Sequence, residues 1–412
     1  MDSDENSDDQ VFISEDDVVE VIELGENIDI SGEEVAHDLD DIDLGAEDTE
    51  DGEHGAVGGA TAPLHDDADL IFSKHTDSVF TVDIDPKTNC LAVSGGQDDH
   101  ALVWSTTTGD VLFECSGHKD SVAHVGFSHD GKYVATGDLS GVIRVWETET
   151  HAEVWTYECS DIEWLEWHPE SHILVVGTVD GNFWMWRIPS GDCRTYQGHG
   201  STITSGRIMP DGKRAVVGYD DGVVKVWELK SCKVLQKFAD KHSHSSSVVS
   251  LDCHHDNNLV ITGSVDVTAN VLNTFTGKVL STYNCCSKSH REGEEDSVEA
   301  VGFSHVQNFA ATGTLAGELR IWDLSSETTR HMCKHAGGVV KLKWDATSPL
   351  VYTCSLDGNV ALWDCRNGER VSQWCGHTDS VLDFSISRDG NTLVSVSEDK
   401  TARVFSLHVP DR

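Results

Sequence analysis

No Lys or Arg occurs in the first 70 residues of this 412-residue chain, which hold 26 of its 72 acidic side chains. So anionic a segment, with so few apolar residues, cannot bury enough surface to offset chain entropy. Residues 1–67 are therefore expected to be a disordered acidic tail. Beyond residue 70 there are 46 acids against 29 bases, a net charge of −17. That balance argues against nucleic acid, heparin-like polyanions and anionic lipid as direct ligands, since all three call for Lys/Arg clusters. A basic protein or peptide is the natural complement.

Long apolar runs are missing as well. Neither a membrane span nor a secretory leader is expected, because no run of about 18 apolar residues occurs. No CxxC pair is found among the twelve cysteines, and only Cys285–Cys286 are adjacent. Reduced thiols in cytosol or nucleus are the simplest reading. A Gly-rich phosphate loop, a nucleophile elbow and HExxH are all absent, so no enzyme and no cofactor is expected. The His and Cys residues of KHSHSSS (241–247) and CHH (253–255) lie close in sequence. Zinc needs convergent ligands at fixed spacing, and no metal is expected there.

Repetition is what the chain has in abundance. Trp104, Trp146, Trp186, Trp227, Trp322 and Trp363 fall at spacings of 42, 40, 41, 95 and 41. The long interval hides a unit with Leu272 in the Trp slot, and Phe405 ends the series. The count is eight repeats, near 75–115, 118–157, 158–197, 199–238, 244–283, 294–333, 335–375 and 377–407. That period is expected of propeller blades. Alternating segments such as VAHVGF, KYVAT and VIRVW read as short antiparallel strands. Repeats one to seven continue past the Trp slot into a further strand, and repeat eight does not. The matching segment, ADLIFSKH at 68–75, stands ahead of repeat one and should close the ring. Seven blades, with one repeat misread, is the alternative.

Residues 117–146 gather His118, Asp120, Ser121 and Ser140, which resembles a nucleophile with its base. Alignment on Trp places Asp six residues earlier at Asp98, Asp180, Asp221, Asp266, Asp357 and Asp399. Ser or Thr stands ten earlier at Ser94, Thr136, Thr262, Thr312, Thr353 and Ser395. A His opens the unit at His75, His118, His199, His244, His335 and His377. Chemistry repeated around a ring is scaffolding, pinning a tight turn to its blade. Only repeat one (His75, Ser94, Asp98, Trp104) and repeat seven (His335, Thr353, Asp357, Trp363) keep all four members. Repeat two carries Ser140 in the Asp slot, and repeats three and six lack the His.

Propellers bind at the rim of the central channel. The positions beside the first apolar residue of each inner strand, with the residue before the turn Asp, number 24 here. They hold five acids (Asp161, Glu163, Asp220, Glu299, Glu398) and no Lys or Arg. Phe80, Leu139, Leu315, Leu356 and Leu382 are the apolar anchors among them. Such a rim suits a basic peptide with one or two apolar side chains, the charge speeding association by about 10- to 1,000-fold. Two further partner contacts are conceivable, the polar insertion 284–297 and VFISEDDVVEVIEL (11–24), with Ser14 and Ser31 ahead of acidic residues. A monomeric chain is the expectation.

The Trp, Ser/Thr, His and Asp pattern over residues 68–407 resembles the structural tetrad of the WD-repeat family. The resemblance implies an all-β protein: an eight-bladed propeller over 68–412, closed by an N-terminal strand and preceded by the tail. Segments such as VDIDPKTNCLAVSGGQDD, GFSHDGKYVATGD, EWLEWHP and PDGKRAVVGYDDG resemble, more narrowly, a branch of that family over nearly the whole chain. That branch implies a non-enzymatic cytoplasmic protein, with some association at the plasma membrane, linked in vertebrates to cell migration and angiogenesis. A basic N-terminal segment tied to heparin binding there has no counterpart here. The branch is similar in turn to fungal WD-propeller chaperones dedicated to one basic large-subunit ribosomal protein. This second likeness implies ribosome biogenesis, with an acidic face shielding a basic segment.

Overall fold

The computed structural model describes residues 65–286 and 296–407. The acidic tail up to residue 64, with its 11–24 stretch, Ser14 and Ser31, lies outside that range, as does most of the 284–297 insertion. Among the described residues, 32 strands form eight four-stranded antiparallel sheets, and there is no helix. Seven sheets are continuous in sequence. The eighth combines Val381–Ile386, Thr392–Ser397 and Ala402–Ser406 with Leu70–Phe72 on its outer edge. Each inner strand packs against the inner strands of two neighbours, and the series runs back from the eighth onto the first. The fold is an eight-bladed β-propeller, and the seven-blade alternative is set aside. We number the blades 1 to 8 from the inner strands Val79–Ile84, Val122–Phe127, Ile162–Trp167, Ile203–Ile208, Val248–Cys253, Val298–Phe303, Val339–Trp344 and Val381–Ile386.

Two features go beyond the sequence reading. Alternation does not mean one wet and one dry face in the second strands. Tyr133–Asp138 and Ile173–Thr178 are buried at every residue, because blades stack face against face and leave no solvent side. Glycine also has a task besides turns. Gly95, Gly137, Gly177, Gly218, Gly263 and Gly313 share one place near the end of the second strand. A Cβ on Gly95 would sit 2.7 Å from the Val122 carbonyl oxygen, and one on Gly263 2.6 Å from that of Val298. The next blade's inner strand approaches too closely for a side chain.

The docked chain begins before residue 68. The Asp67 N–H donates to the Cys375 carbonyl at 2.9 Å, and Asp66 forms an ion pair with Arg403.

Candidate partner-binding rim

The rim rests on the repeated joints beneath it. In blade 1, His75 Nε2 lies 2.9 Å from Ser94 Oγ, which also accepts from Trp104 Nε1 at 3.1 Å. His75 Nδ1 meets Asp98 at 3.0 Å, and Asp98 accepts the Thr76 N–H. Blade 7 repeats this with His335–Thr353 at 2.8 Å, Trp363–Thr353 at 2.9 Å and His335–Asp357 at 3.4 Å. In blade 2 the expectation of a missing carboxylate is corrected. Asp138, two residues before the expected slot, lies 3.0 Å from His118 Nδ1. Ser140, in the slot itself, donates to Asp138. The last residue of the second strand thus reaches the imidazole that a turn residue reaches elsewhere. Blade 6 has no His in the described joint; the Cys285 thiol lies 3.5 Å from Thr312 instead.

Acidification is expected to act on these groups in two stages. Burial holds His377, His124 and His168 below the ordinary imidazole value of 6.5, although Asp399 works the other way on His377. Unfolded imidazoles therefore take up protons first as the pH falls past that value, and stability is lost from there downward. Burial also works to raise Asp98, Asp138, Asp266, Asp357 and Asp399, but their imidazole and N–H partners outweigh it. All five carboxyls are held below 3.8. Their contribution is complete above the unfolded value and disappears as the pH falls through the folded ones. Each tenfold difference in proton affinity is worth about 1.4 kcal/mol. Thermal melts should decline between about pH 6.5 and 5, where few carboxylates titrate, and steeply below about pH 4. A flat melting temperature across the first interval would contradict neutral buried imidazoles.

The structure brings the predicted rim positions together with eightfold regularity. In every blade the N–H before the turn donates to the carbonyl just before the inner strand, at 2.8–3.1 Å. Val179 thus bonds Asp161, Asp220 bonds Thr202, Leu315 bonds Ser297, Leu356 bonds Gly338 and Glu398 bonds Ser380. The residue just after the first apolar residue of each inner strand is the more informative one. Phe80, Ala123, Glu163, Thr204, Val249, Glu299, Val340 and Leu382 are each skipped by the ladder between first and second strands. A bulged residue is released from pairing and re-aimed. Glu163, Thr204, Val249, Glu299 and Val340 line a central cavity of about 690 Å³.

Asp161, Glu163, Asp220 and Glu398 are exposed, and Glu299 is half-buried against Ser297. Burial and the neighbouring Asp161 raise the Glu163 carboxyl. Leu315 is exposed, together with Leu139 and Val265 at matching positions, whereas Phe80, Leu356 and Leu382 are half-buried. The nearby Lys119 and Lys400 are paired, with Glu158 at 2.7 Å and Asp77 at 3.3 Å. Deeper in the channel the charge is mixed. Four carboxylates there, unforeseen from sequence, bind the next blade's backbone: Asp83 to the Phe127 N–H, Glu166 to Ile208, Asp252 to Phe303 and Asp383 to Val82. Their signal is an acid two or four residues beyond the first apolar residue of the inner strand. Lys341 pairs with Asp383. Lys343 lines the cavity, where desolvation and Lys341 alongside push it down to about 8.

The 241–255 group does not converge on a metal geometry. His244 is held by Thr262 and Asp266, while His254 pairs with Asp256 at 2.8 Å. All twelve cysteines are free, and burial pushes the Cys285 thiol up to about 11. Among the described residues no helix is long and apolar enough to cross a membrane.

The model of the WD domain, G-beta repeat, matches residues 69–105, 109–147, 191–228, 232–266, 326–364 and 368–406. Blades 3 and 6, which lack the His, fall in the gaps, and the structure supplies them. The human angio-associated migratory cell protein is 44% identical, over 97% of this chain and 95% of its own length. Ribosome assembly protein SQT1 of Saccharomyces cerevisiae is 25% identical over 76% of this chain and 78% of its own. A crystal structure of Chaetomium thermophilum Sqt1, bound to the N-terminus of the ribosomal protein L10, shares the fold. Its TM-score is 0.75 at 22% identity, over 83% of this chain and all of the other.

Proposed function

We propose that this chain, which belongs to the WD-repeat family and within it to the family of the angio-associated migratory cell protein, captures a basic protein segment at its acidic rim. The observation that carries this reading is the rim itself: five acids and no Lys or Arg at 24 positions, eight of them re-aimed by bulges. The client class is a basic ribosomal protein of the large subunit, escorted in the cytoplasm until assembly. The Sqt1 likeness supports that class, since Sqt1 has been crystallised with the N-terminus of ribosomal protein L10. Capture belongs to the propeller, 68–412, rather than to the acidic segment 1–67. Binding, not bond chemistry, is the activity, because the His, Ser/Thr and Asp groups are consumed in structural joints.

A second reading has its own support. The 44% identity to the angio-associated migratory cell protein favours an adaptor in cell migration, with several partners and mild salt dependence. The test is affinity capture from cytosol at low and high salt, read by mass spectrometry, with wild type beside a triple variant. That variant carries Asp161→Lys, Glu163→Lys and Asp220→Lys. One dominant basic ribosomal protein, lost at high salt and in the variant, is expected. An unchanged set of signalling proteins in both would favour the adaptor and sink the rim site.

A further inference from the structure

Opposite the rim, the turns joining first to second strands carry a side-chain group that the repeat does not require. Residues 128–132 form this turn in blade 2, and 168–172 form it in blade 3. One potential ligand atom each from His129, Asp130 and His172 lies within 4.8 Å of the other two. Among the described residues no other three His, Cys, Asp or Glu ligand atoms converge in this way. His172 Nε2 is already 3.0 Å from Asp130 Oδ2, and the two imidazole centroids are 5.2 Å apart.

The group is held before any ion arrives. Asp130 Oδ1 accepts from Ser128 Oγ at 2.8 Å and from the Lys132 N–H at 3.1 Å, which fixes the carboxylate and turns Oδ2 toward His172. The His172 ring stands edge-on to Tyr133 at 4.9 Å. His129 Nδ1 is buried with no hydrogen-bond partner. The place of His129 is taken by Pro86, Pro169 and Pro210 in blades 1, 3 and 4; His255 and His305 hold it in blades 5 and 6, but there no third ligand atom converges among the described residues. No other described blade has a His directly before its second strand. The sequence reading passes over the pair because the residues are far apart in the chain and meet only where two blades adjoin.

We propose that His129, Asp130 and His172 bind a zinc-class divalent cation that ties blade 2 to blade 3. Two imidazoles and one carboxylate are the donor set of a borderline cation, whereas magnesium and calcium prefer oxygen alone. Three protein ligands leave one position open to water. Bound metal raises the melting temperature by adding a link between two turns that the Asp130–His172 hydrogen bond already brings together.

The test is zinc titration of the full chain after removal of metal, by calorimetry and by thermal melting. Wild type is compared with His172→Gln, which keeps a donor for Asp130, and with His129→Ala. The chain holds 22 His and 12 Cys, so the difference between proteins is what counts. Each variant is expected to bind one equivalent fewer and to lose the zinc-dependent rise in melting temperature. Equal stoichiometry and an equal rise in all three would overturn the site. Should a variant melt lower without metal, cobalt absorption in the cold, on folded protein, decides by the same comparison.

Discussion

Phe72→Ala is expected to lower the melting temperature by about 4 to 7 °C, whereas Ile71→Ala next to it should change little. Both residues lie in the three-residue strand that closes blade 8, pairing Leu70 with Val404, Ile71 with Arg403 and Phe72 with Ala402. They differ in what their side chains meet. Ile71 is 48% exposed, while Phe72 is 1% exposed and stacks on Trp104 at 4.2 Å. Phe72 packs there with Val79, Val82, Val396 and Val404, and so joins the first blade to the last. Removing a buried Phe side chain costs about 3 to 5 kcal/mol in transfer and cavity terms. Deleting 65–72 should do more than add up side chains. The deletion also removes the Asp66–Arg403 pair and the Asp67 bonds to Cys375, and bares the edge of Ala402–Ser406. An unpaired edge of that kind recruits other chains, so the truncated protein is expected in the insoluble fraction. Equal melting of the two point variants would mean that backbone pairing alone closes the ring.

The closure was readable because it depends on counting: repeat eight lacks an outer strand, and one spare strand precedes repeat one. The joints were readable only where each member keeps its own slot. Asp138 shows why the others escape. The imidazole of His118 needs a carboxylate at one point in space, and two routes of backbone lead there. A fixed offset from Trp146 cannot distinguish an absent group from one supplied by the strand end. The bulges are hidden for a related reason. A skipped residue such as Glu163 is defined by Thr178 and Gly177 on the facing strand, not by its own neighbours. Charge was readable as a total and at the rim, but the carboxylates inside the channel were not. Exposed acids stand at the rim, while Asp83, Glu166, Asp252 and Asp383 are engaged with backbone N–H groups inside the channel.

That sorting predicts a division of labour that kinetics can separate. With a basic N-terminal ribosomal-protein segment as probe, Asp161→Lys, Glu163→Lys and Asp220→Lys together should slow association by about 10- to 1,000-fold at low salt. The three acids lie on adjacent blades 3 and 4, and two of them flank the start of one inner strand. Their fields therefore add at the channel mouth. The effect should shrink as salt rises, because exposed charges are screened over about 10 Å at 0.1 M. Leu315→Ala or Leu356→Ala should leave association and its salt dependence nearly unchanged. Each should instead speed dissociation by about 5- to 30-fold, the consequence of losing about 1 to 2 kcal/mol at an apolar anchor. Neither leucine belongs to the inter-blade core clusters, so melting should stay near that of wild type. Dissociation that rises with the charge variants while the leucine variants do nothing would place the grip on ion pairs. The apolar side chains at the rim would then be filling space without holding the client.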